Sequence, residues 1–143
     1  MKTLTMRSMI AVAALAVAAG SASAQTYKAE IPMSFSAGNT QMAPGSYDFR
    51  VVTGSSGHAF IVVHKADGSA TAMLLPIVGL DAPKAWQKEG KPKIGFNCLG
   101  RTCTLAQLWN GRDVSVYAFP ARKLPPSEAA RLEVVTVGLT KAD

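Results

Sequence analysis

The stretch KIGFNCLGRTCTLAQLWNG, Lys93 to Gly111, holds both cysteines of the chain, and its reading decides the fold. Gly100-Arg101 sits between two strand-like runs. A glycine followed by an ordinary residue suits a type II′ hairpin turn. With the turn there, Leu99 and Thr102 form the first, hydrogen-bonded pair. Cys98 and Cys103 form the next, non-hydrogen-bonded pair, where Cα atoms approach most closely. That separation lies within disulfide reach. The same register sets Phe96 opposite Leu105 and Ile94 opposite Gln107. It puts Cys98, Phe96, Ile94, Cys103, Leu105 and Trp109 on one apolar face, with Lys93, Asn97, Thr102 and Thr104 on the other.

The expectation is a structural Cys98–Cys103 disulfide, with a reducible cross-strand bond as the alternative. A thioredoxin-like site needs Cys-x-x-Cys at a helix start, which lowers a thiolate pKa; here four residues intervene, on a strand pattern. A structural zinc site needs about four ligands, and two cysteines and two histidines exhaust the supply.

The N-terminus reads MKTLTMRSMIAVAALAVAAGSASAQ. Lys2 and Arg7 precede an apolar run of about 11 residues, and Ala22-Ser23-Ala24 offers the small residues a signal peptidase requires. The run is short of the ~20 residues that span a bilayer. A signal peptide over 1–24 is expected, cleaved between Ala24 and Gln25, which leaves 25–143 as a single β-domain in the periplasm or outside the cell, with no membrane span after cleavage. An oxidising compartment agrees with the disulfide. The formal charge of +6 falls to +4 without Lys2 and Arg7. A mild excess serves solubility, or attraction to anionic envelope surfaces.

Period-two alternation recurs outside the hairpin. YKAEIPMSF places Tyr27, Ala29, Ile31, Met33 and Phe35 on one face, and SYDFRVV opposes Tyr47, Phe49 and Val51 to Asp48 and Arg50. HAFIVVHK reads as a strand buried on both sides. Asp67-Gly68 then predicts a tight turn into SATAMLLPI, and Pro44-Gly45 a type II turn. Pro32 and Pro76 place their strands at an edge or bulge. Ser127 predicts the N-cap of a short helix over EAARL, and EVVTVGL a last strand. The sum is an all-β chain: a single antiparallel sandwich or flattened barrel of about eight short strands, with one short helix near the C-terminus.

The longest irregular stretch, Gly79 to Lys93, contains Trp86 among Lys84, Lys88, Lys91 and Lys93. It predicts a surface loop, with room for a helical turn around Ala85 to Glu89. Trp86, Lys84, Lys88 and Lys91 are the candidate interaction residues: the indole would stack on a ligand while the lysines meet phosphate or carboxylate. The competing reading packs Trp86 down on the sheet as an anchor. His58 and His64 fall on one predicted strand roughly 20 Å apart, too far to share a metal ion. Ser55, Ser56 and His58 lack a nucleophile elbow, and no glycine loop leads into a helix. No catalytic residue, metal or cofactor is expected.

The segments IPMSFSAGNTQMAPGSYDF, KIGFNCLGRTCTLAQLWNG and LPPSEAARL, in that order, resemble a family of small exported bacterial β-domains. Ile31-Pro32-Met33-Ser34-Phe35, Ala43-Pro44-Gly45-Ser46-Tyr47, Leu105 with Leu108-Trp109, and Leu124-Pro125-Pro126-Ser127 carry the resemblance. Ala130 stands where the family pattern has a glutamate, so a capping box is lost. The resemblance implies an exported β-domain and carries over no activity, cofactor or site. The expected function is a non-enzymatic binding or structural protein of the envelope, its partner an envelope component or protein, with no nucleic acid. The alternatives are a small apolar-ligand carrier with an internal cavity, and a hydrolase.

Overall fold

A computed structural model describes residues 23–77, 79–121 and 123–142. In chain order its strands are β1 (Ser23–Ile31), β2 (Phe35–Ala37), β3 (Thr40–Met42), β4 (Gly45–Thr53), β5 (Ala59–Lys65), β6 (Thr71–Leu74), β7 (Lys93–Leu99), β8 (Thr102–Trp109), β9 (Tyr117–Ala118), β10 (Glu133–Gly138) and β11 (Thr140–Ala142); the helices are α1 (Lys84–Glu89) and α2 (Pro126–Ala129). One sheet runs β11-β1-β4-β5-β6 and the other β10-β7-β8-β2-β3, with β9 also on β8. Each sheet keeps two edges, so the fold is an all-β sandwich and not a barrel. The described residues form eleven strands where about eight were expected; β2, β3, β9 and β11 are each only two or three residues long. Of the expected signal peptide, 1–24, residues 1–22 lie outside the described residues. Ser23 and Ala24 pair with Thr53 and Val52 at the start of β1.

Alternation fills the space between the sheets. Tyr47, Phe49 and Val51 of β4 are buried while Arg50 is exposed. β5 alternates too, burying Ile61 and Val63 and leaving Phe60 and Val62 half-exposed, so it is covered on one face and not two. YKAEIPMSF is not one strand. β1 ends at Ile31, and after Pro32, which has no N–H to donate, Phe35 opens β2 in the opposite sheet. Phe35 still points into the shared core, meeting Tyr47 and Phe96 edge-to-face, with ring centroids 5.1 Å apart in both pairs. β1 is therefore an interior strand, whereas β6, ahead of Pro76, is an edge strand as expected.

The turns follow their chemistry in part. Gly100 has φ 61° while Arg101 keeps a negative φ, as a type II′ turn requires. At the β5–β6 turn Gly68 adopts φ 79°. The Asp67 carboxylate there accepts hydrogen bonds from the Ser69 hydroxyl (2.6 Å) and amide (2.8 Å), which hold its pKa below the ordinary carboxylate value. Gly45 is already the first residue of β4 at φ 154°, so Pro44-Gly45 forms no type II turn. The C-terminal helix starts two residues earlier than expected. Pro125 is its N-cap, without a side-chain cap, and Pro126 begins it. Proline's fixed φ suits the first helical position, so Ser127 lies within the first turn.

The hairpin register holds from the turn to Phe96↔Leu105, including Cys98↔Cys103. It then shifts: Gly95 faces Gln107, Ile94 faces Leu108, and Ala106 is the extra residue of a bulge. Strict alternation would have turned Gln107 inward and Leu108 outward. The bulge reverses them. Leu108 is fully buried, Gln107 is half-exposed, and the Ala106 carbonyl accepts the Phe119 amide at 2.9 Å. Trp109 is thereby sent to the outer side of the sheet, not to the face of Cys98 and Phe96 where alternation had put it.

Candidate functional site

Cys98 and Cys103 form the disulfide, with Cα atoms 4.0 Å apart. Both are nearly fully buried in the core between the sheets. The bond staples the β7–β8 hairpin. In the chain-entropy account so short a loop contributes about 2 kcal/mol.

On the outside of the same sheet lies a second, smaller cluster: Ala82, Trp86, Trp109 and Val116. Its floor is Gly95 of β7, where a Cβ would stand 3.0 Å from the Trp86 Cη2. Glycine is what lets the indole settle on the strand. α1 supplies Trp86, and its neighbours hold it in place. The Gln87 side-chain amide donates to the Ala82 carbonyl at 2.8 Å. Gly90, in the left-handed conformation at φ 68°, closes the helix by donating to the Trp86 carbonyl, a glycine C-cap. Lys93 and Glu89 form an ion pair across that end.

Two paired segments wall the cluster. Asp81 bridges Ser115; the Ala82 amide donates to the Val114 carbonyl at 2.8 Å, and the Val116 amide to Leu80 at 2.9 Å. Trp109 Nε1 donates to the Asp113 carbonyl at 2.7 Å. Asn110 folds the intervening loop. Its Oδ1 accepts from the amides of Arg112 (2.9 Å) and Asp113 (3.0 Å), and its Nδ2 donates to the Asp113 carboxylate (2.8 Å). Gly111 passes so near Lys91-Pro92 that a Cβ would stand 2.7 Å from the Pro92 nitrogen.

The structure separates the four candidate interaction residues. Trp86 is 7 % exposed, so its faces are spent on packing and it is an anchor, not a stacking platform. Gly79–Lys93 is accordingly a built surface element more than a loop. Lys84 and Lys88 are exposed. They stand one helical turn apart on the side of α1 opposite Trp86, and exposed Lys91 follows directly after the Gly90 cap. Lys84 and Lys88 are thus carried on a short helix riveted to the sheet by an indole, with Lys91 just beyond its end. The second tryptophan of the rivet, Trp109, escaped the sequence reading because a bulge decides its face.

A cleft of about 520 Å³ lies farther along the outer face of the hairpin. It is lined by Leu99, Thr104 and Ala106 of the hairpin and by Phe119, Leu124 and Leu132. Lys123 and Glu128 add one charge of each sign. It lies outside the sandwich, not between the sheets. The histidines stand apart: exposed His58 precedes β5, with its carbonyl accepting the Gly54 amide, while His64 Nδ1 lies 2.7 Å from Thr71 Oγ1 across β5–β6. Among the described residues no helix is long and apolar enough to cross a membrane. Comparison with protein-family models, curated proteins and solved structures found no match, so the functional reading rests on the geometry above.

Proposed function

We propose that the chain is an exported, non-enzymatic binding domain of the cell envelope, and that the outward side of α1 is its contact surface. The observation that carries this reading is the opposition on α1: Trp86 buried against Gly95, Lys84 and Lys88 turned out. A charge held on a rigid platform loses less side-chain and backbone freedom on binding than one on a mobile loop. The disulfide supports export to an oxidising compartment. The test is retention on isolated envelope material. Lys84→Glu/Lys88→Glu/Lys91→Glu releases the protein into the soluble fraction with an unchanged circular dichroism spectrum; full retention of that variant overturns the reading.

The cleft on the hairpin favours a second reading, carriage of a small ligand, at a site outside the sandwich and not in an internal cavity. Its volume is in the range of small-molecule sites, and its walls are mainly apolar. Ala106→Trp would fill it. Loss of binding of an apolar fluorescent probe in that variant supports carriage, and unaltered binding rejects it.

A further inference from the structure

The cations on α1 have apolar company. Leu80 and Val114 flank the Asp81–Ser115 bridge, and they are 48 % and 59 % exposed. Their neighbours along the same paired segments, Ala82 and Val116, are buried over the tryptophans. Leu80 and Val114 therefore form the wet rim of a cluster whose centre is dry. The chain leading into this rim adds Leu75, 73 % exposed, and Ile77, 47 % exposed. Ile77 is tied to Ala118 through its amide at 2.6 Å, so the run is held along the sheet margin. Singly exposed apolar side chains are ordinary, but a grouped set on one small domain marks a contact surface.

Charge at this rim is predominantly positive. The segments that build the rim, 79–93 and 110–116, carry Lys84, Lys88, Lys91, Lys93 and Arg112 against three carboxylates, Asp81, Glu89 and Asp113. Glu89 is paired with Lys93, and Asp113 accepts the Asn110 amide. Gly111 packs on Lys91-Pro92, which brings Arg112 to the side of Lys91. A soluble polyanion would satisfy the cations but offers no apolar phase for Leu80 and Val114. A bilayer of anionic lipid offers both: a negative surface that attracts juxtaposed lysines, and a headgroup–acyl boundary that takes shallow apolar side chains.

We infer that this rim is a membrane-docking surface, seating Leu80, Val114, Ile77 and Leu75 at the boundary of an anionic bilayer while Lys84, Lys88, Lys91 and Arg112 meet lipid phosphates. The inference rests on the binding role of α1 proposed above and names the surface it binds. Docking is peripheral and reversible, because the side chains reach only the interface. It weakens as salt rises, since exposed charges are screened within a Debye length.

The test is co-flotation of protein recovered from the exporting cell, its N-terminus defined by mass spectrometry. Vesicles of phosphatidylglycerol with phosphatidylethanolamine are compared with vesicles of phosphatidylcholine alone and with soluble dextran sulfate. The wild type floats with the anionic vesicles and not with phosphatidylcholine. Lys84→Gln/Lys88→Gln lowers partitioning about 25-fold, at about fivefold per lysine near an anionic surface. Leu80→Ser/Val114→Ser lowers it by about tenfold without altering the weaker response to dextran sulfate. If the serine variant binds vesicles as the wild type does while the lysine variant fails, the surface is purely electrostatic and membrane docking is overturned, with the binding role of α1 intact. Flotation with phosphatidylcholine, or binding to dextran sulfate as tight as to anionic vesicles, also overturns it. If the lysine variant loses neither vesicles nor envelope material, both readings fall.

Discussion

The Trp86 indole lies so close over Gly95 that a Cβ there would stand 3.0 Å from Cη2 and 3.3 Å from Cζ2. Nearly buried rings cannot give way as a flexible side chain would. Gly95→Val should destabilise by about 1–3 kcal/mol through overpacking, seen as a lower urea midpoint. Trp86→Leu in the same chain should recover part of that loss, and additive effects in the double variant would show that the two residues do not couple.

Gly111 carries a second such constraint, with φ 83° as well as the approach to Pro92. Gly111→Ala combines an unfavourable left-handed backbone with a clash against main chain. It should cost more than Asn110→Ala, which removes the hydrogen bonds that fold the same loop at about 1–2 kcal/mol. Unfolding free energies of the two variants, measured side by side, give the order directly.

The disulfide should be present in protein produced in an oxidising compartment, with a mass lower by two hydrogens than the dithiol. Cys98→Ala/Cys103→Ala should unfold about 2 kcal/mol more easily yet keep its β-sheet spectrum, because Phe96, Leu105 and Leu108 still fill the core. Since both sulfurs lie in the interior, mild reductant should leave the native bond intact and open it only near the unfolding transition. Rapid reduction of the folded protein would point to an accessible, regulatory bond.

Tyr27, Tyr47 and Tyr117 all have pKa values raised above 10.0, chiefly by burial. Nearby acids add to the rise: Asp113 raises Tyr27 and Tyr117, and Asp67 raises Tyr47. Folding thus favours the protonated phenols. Their contribution is complete below the unfolded value of about 10 and is lost as pH climbs through the folded values. Stability should be insensitive to these groups at neutral pH and fall steeply in the alkaline range. Tyrosinate absorbance should rise together with unfolding, and free titration of all three tyrosines in the folded protein at pH about 10 would contradict their burial.

The local features were legible from residues alone. Turn chemistry at Gly100-Arg101 and period-two patterning placed Cys98 opposite Cys103 and Phe96 opposite Leu105, and alternation correctly faced Tyr47, Phe49 and Val51 inward, because each depends on a few neighbouring residues. The Gly79 to Lys93 stretch was recognisable as a special surface segment through its lysines and its single tryptophan. Which way Trp86 pointed was not, because its bed is Gly95, on another element.

The sequence by itself thus determined an all-β chain, a hairpin and the pairing of its two cysteines, since strand period and turn type act over short range. Only the tertiary structure decided that the chain changes sheets after Pro32, that a bulge at Ala106 buries Leu108 in place of Gln107, and that Trp109 and Trp86 meet on the outer face to raise the lysines. Those choices turn on how much apolar surface distant segments bury together, and no local pattern records that sum.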